Sequence, residues 1–576
     1  MSFNLGKLKT VLGQNSVTRY PYLKTVRYFH RFKRAFPIRY THWIKHTESF
    51  VEYEPSNKDI RFHLVLLATN NDIVNHKQIV QSIVEQRYPH WHLDILVAEE
   101  QQNDSMFTEL ANMHPQITIA TDNKRVLSAP FAEAENSSSW HIILTQHFIL
   151  SPHCLTELNV FINNQSIQPV LVYTDHDELG TSNKRQNPWF KPRWNADLFY
   201  SQEYIQHCCV FNTTKLDLPR INSDGFSRDM LYQLVLELSQ SSSDSIAHLP
   251  KIMFHKVKEL DSLDPKMVEE SLNKCVTDDQ VKISQSGGQD IRIHWPLNDT
   301  PLVTLIIPTR NGYEILKQAI DSICDKTTYK NFEMLIVDNQ SDCERTLAYL
   351  SSLQNDHANI RVIEYNHEFN YSGINNYAVT KANGSVIGFI NNDIEVISSN
   401  WLNEMLSHAL RSDIGCVGAK LYYPNDTIQH AGVIVGMWGC AGHSHKHFKR
   451  DSRGYCDRLM HVQNYSALTA ACLLLRKELF EQVNGFNELD LPVQFNDVDL
   501  CLKVASLGYR NVWTPYAELY HHESISRGED VSSAQITRSR GEVKYMHETW
   551  VHSGYTDPAY NPNLTICRED FSVAKK

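Results

Sequence analysis

Several acidic groups and a pair of histidines stand where apolar runs end. Asp338 opens DNQSD at 338–342 after the run EMLIV, and Asp393 and Glu395 follow the run SVIGFI at 385–390. Asp497 and Asp499 flank one valine in FNDVDLCL at 495–502, and His521 and His522 lie in ELYHHES at 518–524. A carboxylate at a strand end can hold a hard divalent cation through oxygen, and such a cation can bridge a diphosphate and offset its charge as it leaves. Plainer readings stand beside this one. A strand-end Asp also caps helices, the 391–395 stretch also suits a polar turn, and Asp499 also reads as a helix-start carboxylate accepting backbone N–H groups. His443, His445 and His447 alternate as a strand would present them, but no fourth ligand or cysteine pairing accompanies them to make a zinc site.

These groups need a scaffold. From residue 58 onward short apolar strands alternate with longer helical stretches, the pattern of an α/β sheet, whose ligands bind at the carboxyl ends of strands. The pattern starts twice. HLVLLA at 63–68 and VTLIIP at 303–308 lie 240 residues apart, with LV at 96–97 matching IV at 336–337, and Tyr88 matching Tyr329 after a slip of one residue. A repeat at that spacing means two copies of a whole domain. Residues 259–298 run polar, through SQSGGQ at 284–289, and read as the linker. The expected division is a basic and aromatic segment 1–58, a first domain 59–258, the linker, and a second domain 299–576 with a helical tail.

The chain of 576 residues, 42% hydrophobic and 21% charged, can fill more than one core. No stretch approaches the roughly 18 consecutive apolar residues of a membrane span, and the twelve cysteines include no CxxC pair. A cytoplasmic compartment follows as the expectation. The net charge of -11 is uneven, because residues 1–46 carry ten Lys/Arg and no Asp or Glu. With Tyr20, Tyr22, Tyr28, Phe29, Phe32, Phe36 and Trp43 interleaved, that segment suits an anionic membrane surface, or else docks on the acidic body of the protein. No nucleic-acid-binding motif accompanies it.

Separated carboxylates and a histidine pair, with no nucleophile elbow, Walker loop or GxGxxG, fit sugar transfer better than acyl, phosphoryl or hydride chemistry. Read together with NYSGINNYA at 370–378, ANG at 382–384, QHAG at 429–432, NYSALTAAC at 464–472, Gly485-Phe486 and SRG at 526–528, the second half resembles inverting family-2 glycosyltransferases of the GT-A fold. The likeness is greatest to bacterial enzymes of O-antigen and surface-polysaccharide synthesis, rhamnosyltransferases among them. The resemblance implies that Pro308, Thr309, Arg310 and Asn311 line the nucleotide, that Asp338 contacts its base or ribose, and that Asn375 and Asn392 lie beside the donor. It implies Asp393 as the principal ligand of Mn²⁺ or Mg²⁺, in a motif whose first acid is here Asn391, with His521 as a further ligand and His522 the one-residue alternative. Asp497 takes the place of the catalytic base, Asn496 standing where the family often has Glu, and His443 falls in an acceptor loop. The donor would be a UDP- or dTDP-sugar. The acceptor would be a glycan or a polyprenyl-diphosphate-linked oligosaccharide, met at the cytoplasmic face of the inner membrane.

The first half resembles the same fold, with YTDHDE at 173–178 and FKPRWNAD at 190–197, so the chain reads as tandem GT-A domains of which the N-terminal one is degenerate. By the repeat Ala68 stands for Pro308, Ala98 for Asp338, Gln146 for Asp393, Asp229 for Asp497 and His255 for His521. The expected function is metal-dependent sugar transfer by the second domain, with a second active site in the first domain as a sharper variant. The alternative is an inactive glycan- or nucleotide-sugar-binding module.

Overall fold

The structure, a computed structural model, describes residues 39–575 apart from 57, 69–72, 122–138, 181, 217–225, 242–244, 277–279, 287–289 and 523–531. Most of the basic N-terminal segment, and the SRG element at 526–528, lie outside the described residues. No helix of the described residues is long and apolar enough to cross a membrane.

Two large sheets carry the fold. The path strands of the first are β1 (Arg61–Leu67), β2 (Trp91–Val97), β3 (Ile117–Thr121), β4 (Ser139–Leu144), β5 (Phe148–Leu150), β6 (Leu171–Leu179), β7 (Cys209–Asn212) and β8 (Ile246–Lys256). Those of the second are β9 (Val303–Thr309), β10 (Phe332–Asp338), β11 (Ile360–Glu364), β12 (Val386–Ile390), β13 (Ile394–Val396), β14 (Ile414–Tyr422), β15 (Cys472–Arg476) and β16 (Arg510–His521). The spatial orders are β3-β2-β1-β4-β7-β6-β8-β5 and β11-β10-β9-β12-β15-β14-β16-β13, so the second sheet repeats the first strand for strand. Strands buried on both faces read as continuous apolar runs. In β9, Val303, Leu305 and Ile307 face one core cluster and Ile306 the other.

The sheet registers correct the spacing of the repeat. Phe62 pairs with Trp91 as Val303 pairs with Phe332, and Leu67 pairs with Leu96 as Pro308 pairs with Val337. The Tyr88 hydroxyl donates to the Ile60 carbonyl as Tyr329 does to Pro301. Along these strands the two copies are therefore offset by one residue more than the apolar runs suggested. Leu67, not Ala68, stands for Pro308, and Val97, not Ala98, for Asp338. At the far edge Phe148 pairs with Lys256 as Ile394 pairs with His521. The Val257 N–H bonds the His147 carbonyl as the His522 N–H bonds that of Asp393. His147 and Lys256, rather than Gln146 and His255, thus take the places of Asp393 and His521. A slip of one residue in a strand moves every side chain to the other face, so these corrections change which groups could meet a ligand.

The two halves pack as one body. A single core cluster combines Trp43, Phe190 and Ile252 with Leu459, Tyr465, Leu564 and Phe571. At its border the buried Asp197 carboxylate pairs with Arg411 at 2.5 Å and Arg510 at 3.2 Å, and accepts from the Asn464 amide at 2.7 Å. Asn561 of the C-terminal tail donates to Asp175 and to the Lys191 carbonyl. The segment 259–298, expected to be a loose polar linker, holds the helix Pro265–Cys275 and the hairpin Lys282–Ser286/Asp290–His294. From that hairpin Arg292 reaches Glu404 at 2.9 Å, and Asp290 meets Arg453 at 2.6 Å.

Candidate active site

The carboxyl ends of β9, β10 and β12 converge on one edge of the second sheet. β9 ends at Thr309, and the chain turns through Asn311 and Gly312 at φ of 56° and 69° into the helix Tyr313–Lys326. The Asn311 side chain accepts from the N–H groups of Asp342 and Cys343 and donates to the Asp342 carboxylate at 2.9 Å. It clamps the β9 and β10 loops together, beside the half-buried Pro308, the buried Thr309 and the exposed Arg310. Thr309 is fixed by the Asn392 amide at 3.1 Å. Asp338 closes β10, mostly buried, with one carboxylate oxygen accepting the Ser341 N–H.

β12 runs out into Asn391, Asn392 and Asp393 before β13 pairs with the last residues of β16, which brings His521 to Asp393. Nε2 of His521 lies 3.1 Å from Oδ1 of Asp393, and that buried oxygen receives no hydrogen bond. Nδ1 of His521 faces the Gln429 Oε1 at 2.7 Å, and Nε2 meets the Asn391 amide nitrogen at 3.1 Å. An amide oxygen accepts only, so Nδ1 carries the proton and Nε2 presents its lone pair. Nε2, met by the Asn391 amide, also lies 3.1 Å from the Asp393 carboxylate oxygen in a mostly buried place. A proton shared by the two groups or a bound cation satisfies this contact, and an imidazole whose other nitrogen is held by a carbonyl is the usual form of a metal-bound histidine. The two residues fit a divalent cation. His522 turns away to Glu395 at 3.2 Å.

Asp497 is the second residue of the helix Asn496–Ser506, entered through Phe495 in the left-handed region at φ 60°. Such a conformation is costly for a bulky residue and persists only where its surroundings enforce it. One source of that enforcement is the buried Glu542 of the C-terminal helix Ser533–Thr549, whose Oε1 accepts the N–H groups of both Val493 and Gln494 at 2.9 Å. Asp497 accepts from the backbone N–H of Ala470 at 3.1 Å and of Val498 at 2.9 Å. Its side chain keeps some surface, yet the protein around it raises the carboxyl above the ordinary Asp range, these N–H groups offsetting part of that rise. Tyr371 stands between the two acids. Burial, then the charges of Asp497 and Asp393, push its phenol up, and its hydroxyl lies 3.4 Å from the Asn391 amide oxygen.

Two other expected residues, Asn375 and Asp499, are fully buried. Asn375 is fully buried within the helix Tyr371–Val379 and donates to the Tyr371 carbonyl, so it supports Tyr371 from beneath and is shielded from any donor. Asp499 is fully buried against the C-terminal helix, accepting from Trp550 at 2.9 Å and pairing with Lys503 at 3.2 Å. The strand carrying His443 ends there, and the three alternating histidines diverge. His443 lies against His430 at 2.9 Å, His445 against Ser444 at 2.7 Å, and His447 stacks on Tyr423. Burial holds His443 neutral, down to about 3. Tyr371, Gln429 and Glu542 were not assigned parts from sequence. The first two lie in NYSGINNYA and QHAG, but nothing local marks Glu542.

Residues 304–483 match the family described as Glycosyl transferase family 2. An uncharacterized protein of Sinorhizobium fredii is 36% identical over 518 residues, covering 86% of this chain and 57% of its own length. An O-antigen biosynthesis protein of Myxococcus xanthus is 33% identical over 442 residues, covering 74% of this chain and 34% of its own. An N-acetylglucosaminyl-diphospho-decaprenol L-rhamnosyltransferase of Mycobacterium tuberculosis is 33% identical over 88 residues, 15% of this chain and 28% of its own. Among solved structures, a mannosyltransferase of Pyrobaculum calidifontis in complex with GDP-Man and Mn²⁺ is similar over 46% of this chain and 68% of its own, at 17% identity and a TM-score of 0.34. The chain thus spans 57% or less of the curated relatives that it matches over most of its own length. It carries a Glycosyl transferase family 2 domain over residues 304–483, set on the second sheet.

Proposed function

We propose that the second half of the chain moves a sugar from a UDP- or dTDP-sugar to a hydroxyl of a glycan, with inversion and with the help of Mn²⁺ or Mg²⁺, in surface-polysaccharide synthesis. Asp497 is the general base. Its carboxylate takes the proton of the acceptor hydroxyl as that oxygen attacks the anomeric carbon, while the nucleotide diphosphate leaves from the opposite face of the sugar. A raised carboxyl pKa suits this task, because it brings the base nearer in strength to the proton it must remove. Pro308, Thr309 and Arg310 line the nucleotide, Asp338 receives its base or ribose, and Asn392 holds Thr309 in place. Asp393 and His521 would hold the cation, which offsets the charge of the departing diphosphate when bound. The observation that carries the reading is the approach of Asp393 Oδ1 and His521 Nε2 to 3.1 Å with no hydrogen bond on the carboxylate oxygen.

The division into a segment 1–58, a buttressing domain 59–258, a connector 259–298 and a working domain 299–576 belongs to the same proposal. The places of Asp338, Asp393 and His521 are taken in the first sheet by Val97, His147 and Lys256. Lys256 is held by Glu178 at 2.8 Å and Glu259 at 2.9 Å, so a fixed ammonium occupies the place of a metal ligand. The first domain holds its partner in shape and does not turn over. The acceptor is a polyprenyl-diphosphate-linked or other surface oligosaccharide at the cytoplasmic face of the inner membrane. Two relatives support this by name, one in O-antigen biosynthesis and one acting on a diphospho-decaprenol. The basic side chains of segment 1–46 meet the anionic leaflet, while Trp43 of that segment packs into the core of the protein.

The test is thermal stabilisation of the purified chain by UDP-, dTDP- and GDP-sugars with and without Mn²⁺, beside Asp393→Ala, since a ligand that binds the native state raises its stability. Stabilisation by one nucleotide class that needs both Mn²⁺ and Asp393 is expected. No response to any donor would replace the reading with an inactive binding module.

A further inference from the structure

A second set of metal-type donors lies in the first sheet, away from the cleft. His63 on β1 pairs in register with His92 on β2 and with His141 on β4, and Asp94 on β2 pairs with Thr118 on β3. Register partners on neighbouring strands, and residues two apart on one strand, share a face, so all five side chains stand on the same side. Asp94 Oδ2 lies 2.7 Å from His63 Nε2, and Asp94 Oδ1 lies 3.3 Å from His92 Nε2. One donor atom from each of His63, His92 and Asp94 falls within 4.8 Å of the others, a grouping of three that recurs nowhere else among the described residues. His63 is fully buried and Asp94 nearly so, while His92 is half-buried and gives the set a way in from solvent.

We propose that His63 Nε2, His92 Nε2 and the Asp94 carboxylate form a structural site for a borderline divalent cation of the Zn²⁺ class, with water from the His92 side completing a four-coordinate shell. The buried side of the set supports this. His63 Nδ1 lies 2.8 Å from His141 Nε2, and His141 Nδ1 lies 2.9 Å from the Thr213 hydroxyl. Without metal the chain runs inward, with Thr213 donating to His141, His141 to His63, and His63 Nε2–H to Asp94. With Nε2 of His63 on a cation the same chain runs outward: His63 Nδ1–H donates to His141, and His141 Nδ1–H to Thr213. In both directions no buried polar atom of the chain is stranded, so the outer partners can fix the ring of a metal-bound histidine. The matching positions of the second sheet hold no such set. There Thr304 donates to Glu333, Glu333 pairs with Arg361, and Leu335 and Ile387 fill the places of Asp94 and His141. The cation would pin β1 and β2 near their amino ends, in the half of the molecule that buttresses the cleft.

The experiment strips the full chain with EDTA, reloads it with Zn²⁺ or Co²⁺, removes free metal and measures bound metal and melting temperature. It is run on His521→Ala, so that the cleft contributes no imidazole, and on His521→Ala combined with His92→Gln. We expect about one equivalent of Zn²⁺ on the first protein, a visible Co²⁺ absorption of tetrahedral strength, and a melting temperature raised by the metal. Adding His92→Gln should remove all three, and His141→Ala should weaken binding about tenfold or more. Uptake left unchanged by His92→Gln, or the absence of tight Zn²⁺ in His521→Ala, would overturn the site. If His92→Gln does not fold, Asp94→Asn is judged by the same readouts, and the Co²⁺ spectrum of His521→Ala alone still decides whether imidazole and carboxylate bind the ion.

Discussion

His521 Nδ1 is held by the Gln429 Oε1 at 2.7 Å, and the same ring then points its Nε2 at Asp393 from 3.1 Å. Gln429 therefore governs the aim of an atom that it does not touch. Gln429→Leu frees the imidazole to take the other tautomer or to rotate. Metal-dependent transfer by that protein should need about 10- to 100-fold more Mn²⁺ for half-maximal rate. Its rate at saturating Mn²⁺ should stay near that of the unaltered chain. Asp393→Ala should lose transfer at every Mn²⁺ concentration, and a titration of rate against metal separates the two.

Asp497 predicts opposite effects on rate and on stability. Its carboxyl is raised in the folded protein, so the folded chain holds that proton to higher pH than the unfolded chain does. Stability from the protonated form is present in full below the unfolded pKa and is lost as pH rises through the folded one, so at pH 7 the ionised group is a burden on the fold. Asp497→Asn should melt at a higher temperature than the unaltered chain at pH 7, with the difference closing as pH falls toward 4. Its transfer rate should drop about 10²- to 10⁴-fold while stabilisation by the donor persists. A melting curve series across pH, beside a single-turnover assay, checks both halves.

How much of this was legible in the sequence depends on the range of the interactions. Asp338, Asp393 and Asp497 stand out because each interrupts or follows an apolar run, a local signal, and the doubling of the fold shows in repeated runs of the same kind. The offset between copies was misread because apolar strand residues are interchangeable. A shift of one along LVLL or LIIP keeps the pattern while reversing the faces. The pair Tyr88 and Tyr329 already carried the right offset, but its meaning lies in hydrogen bonds to Ile60 and Pro301 across the chain. Asn375 sat in an apparently functional run, and only the packing of its helix shows that it is enclosed. The polar composition of 259–298 hid a helix and a hairpin, because both are amphipathic pieces whose apolar sides meet the body of the first domain.

The border between the halves predicts a loss that spreads. Asp197 is buried and shared by Arg411 and Arg510, while Asn464 donates to it from the short strand Gln463–Asn464. Removing one partner from a buried ion pair leaves uncompensated charge and costs about 3–5 kcal/mol. Asp197→Ala should lower the midpoint of urea unfolding by a matching amount. It should also lower transfer, although the residue belongs to the first half of the chain. Loss of stability with transfer intact in the folded fraction would show that the first domain has no hold on the cleft.

Glu542 makes the last case, that of a residue acting on the base from a distance. Its Oε1 accepts two backbone N–H groups, from Val493 and Gln494, directly ahead of the strained Phe495 and the helix that presents Asp497. Leaving buried donors unpaired costs about 1–3 kcal/mol. The chain can relieve that cost by letting Phe495 relax out of its left-handed conformation. Asp497 would then shift away from the acceptor, while Thr309, Asp338 and Asp393, on other strands, stay in place. Glu542→Ala should therefore lower kcat about tenfold or more with little change in KM for the donor. Glu542→Gln keeps one carbonyl oxygen for the two N–H groups and should recover most of the rate. An equal loss in both variants would mean that the charge shared with Arg538, 3.5 Å away, matters more than the hold on the loop.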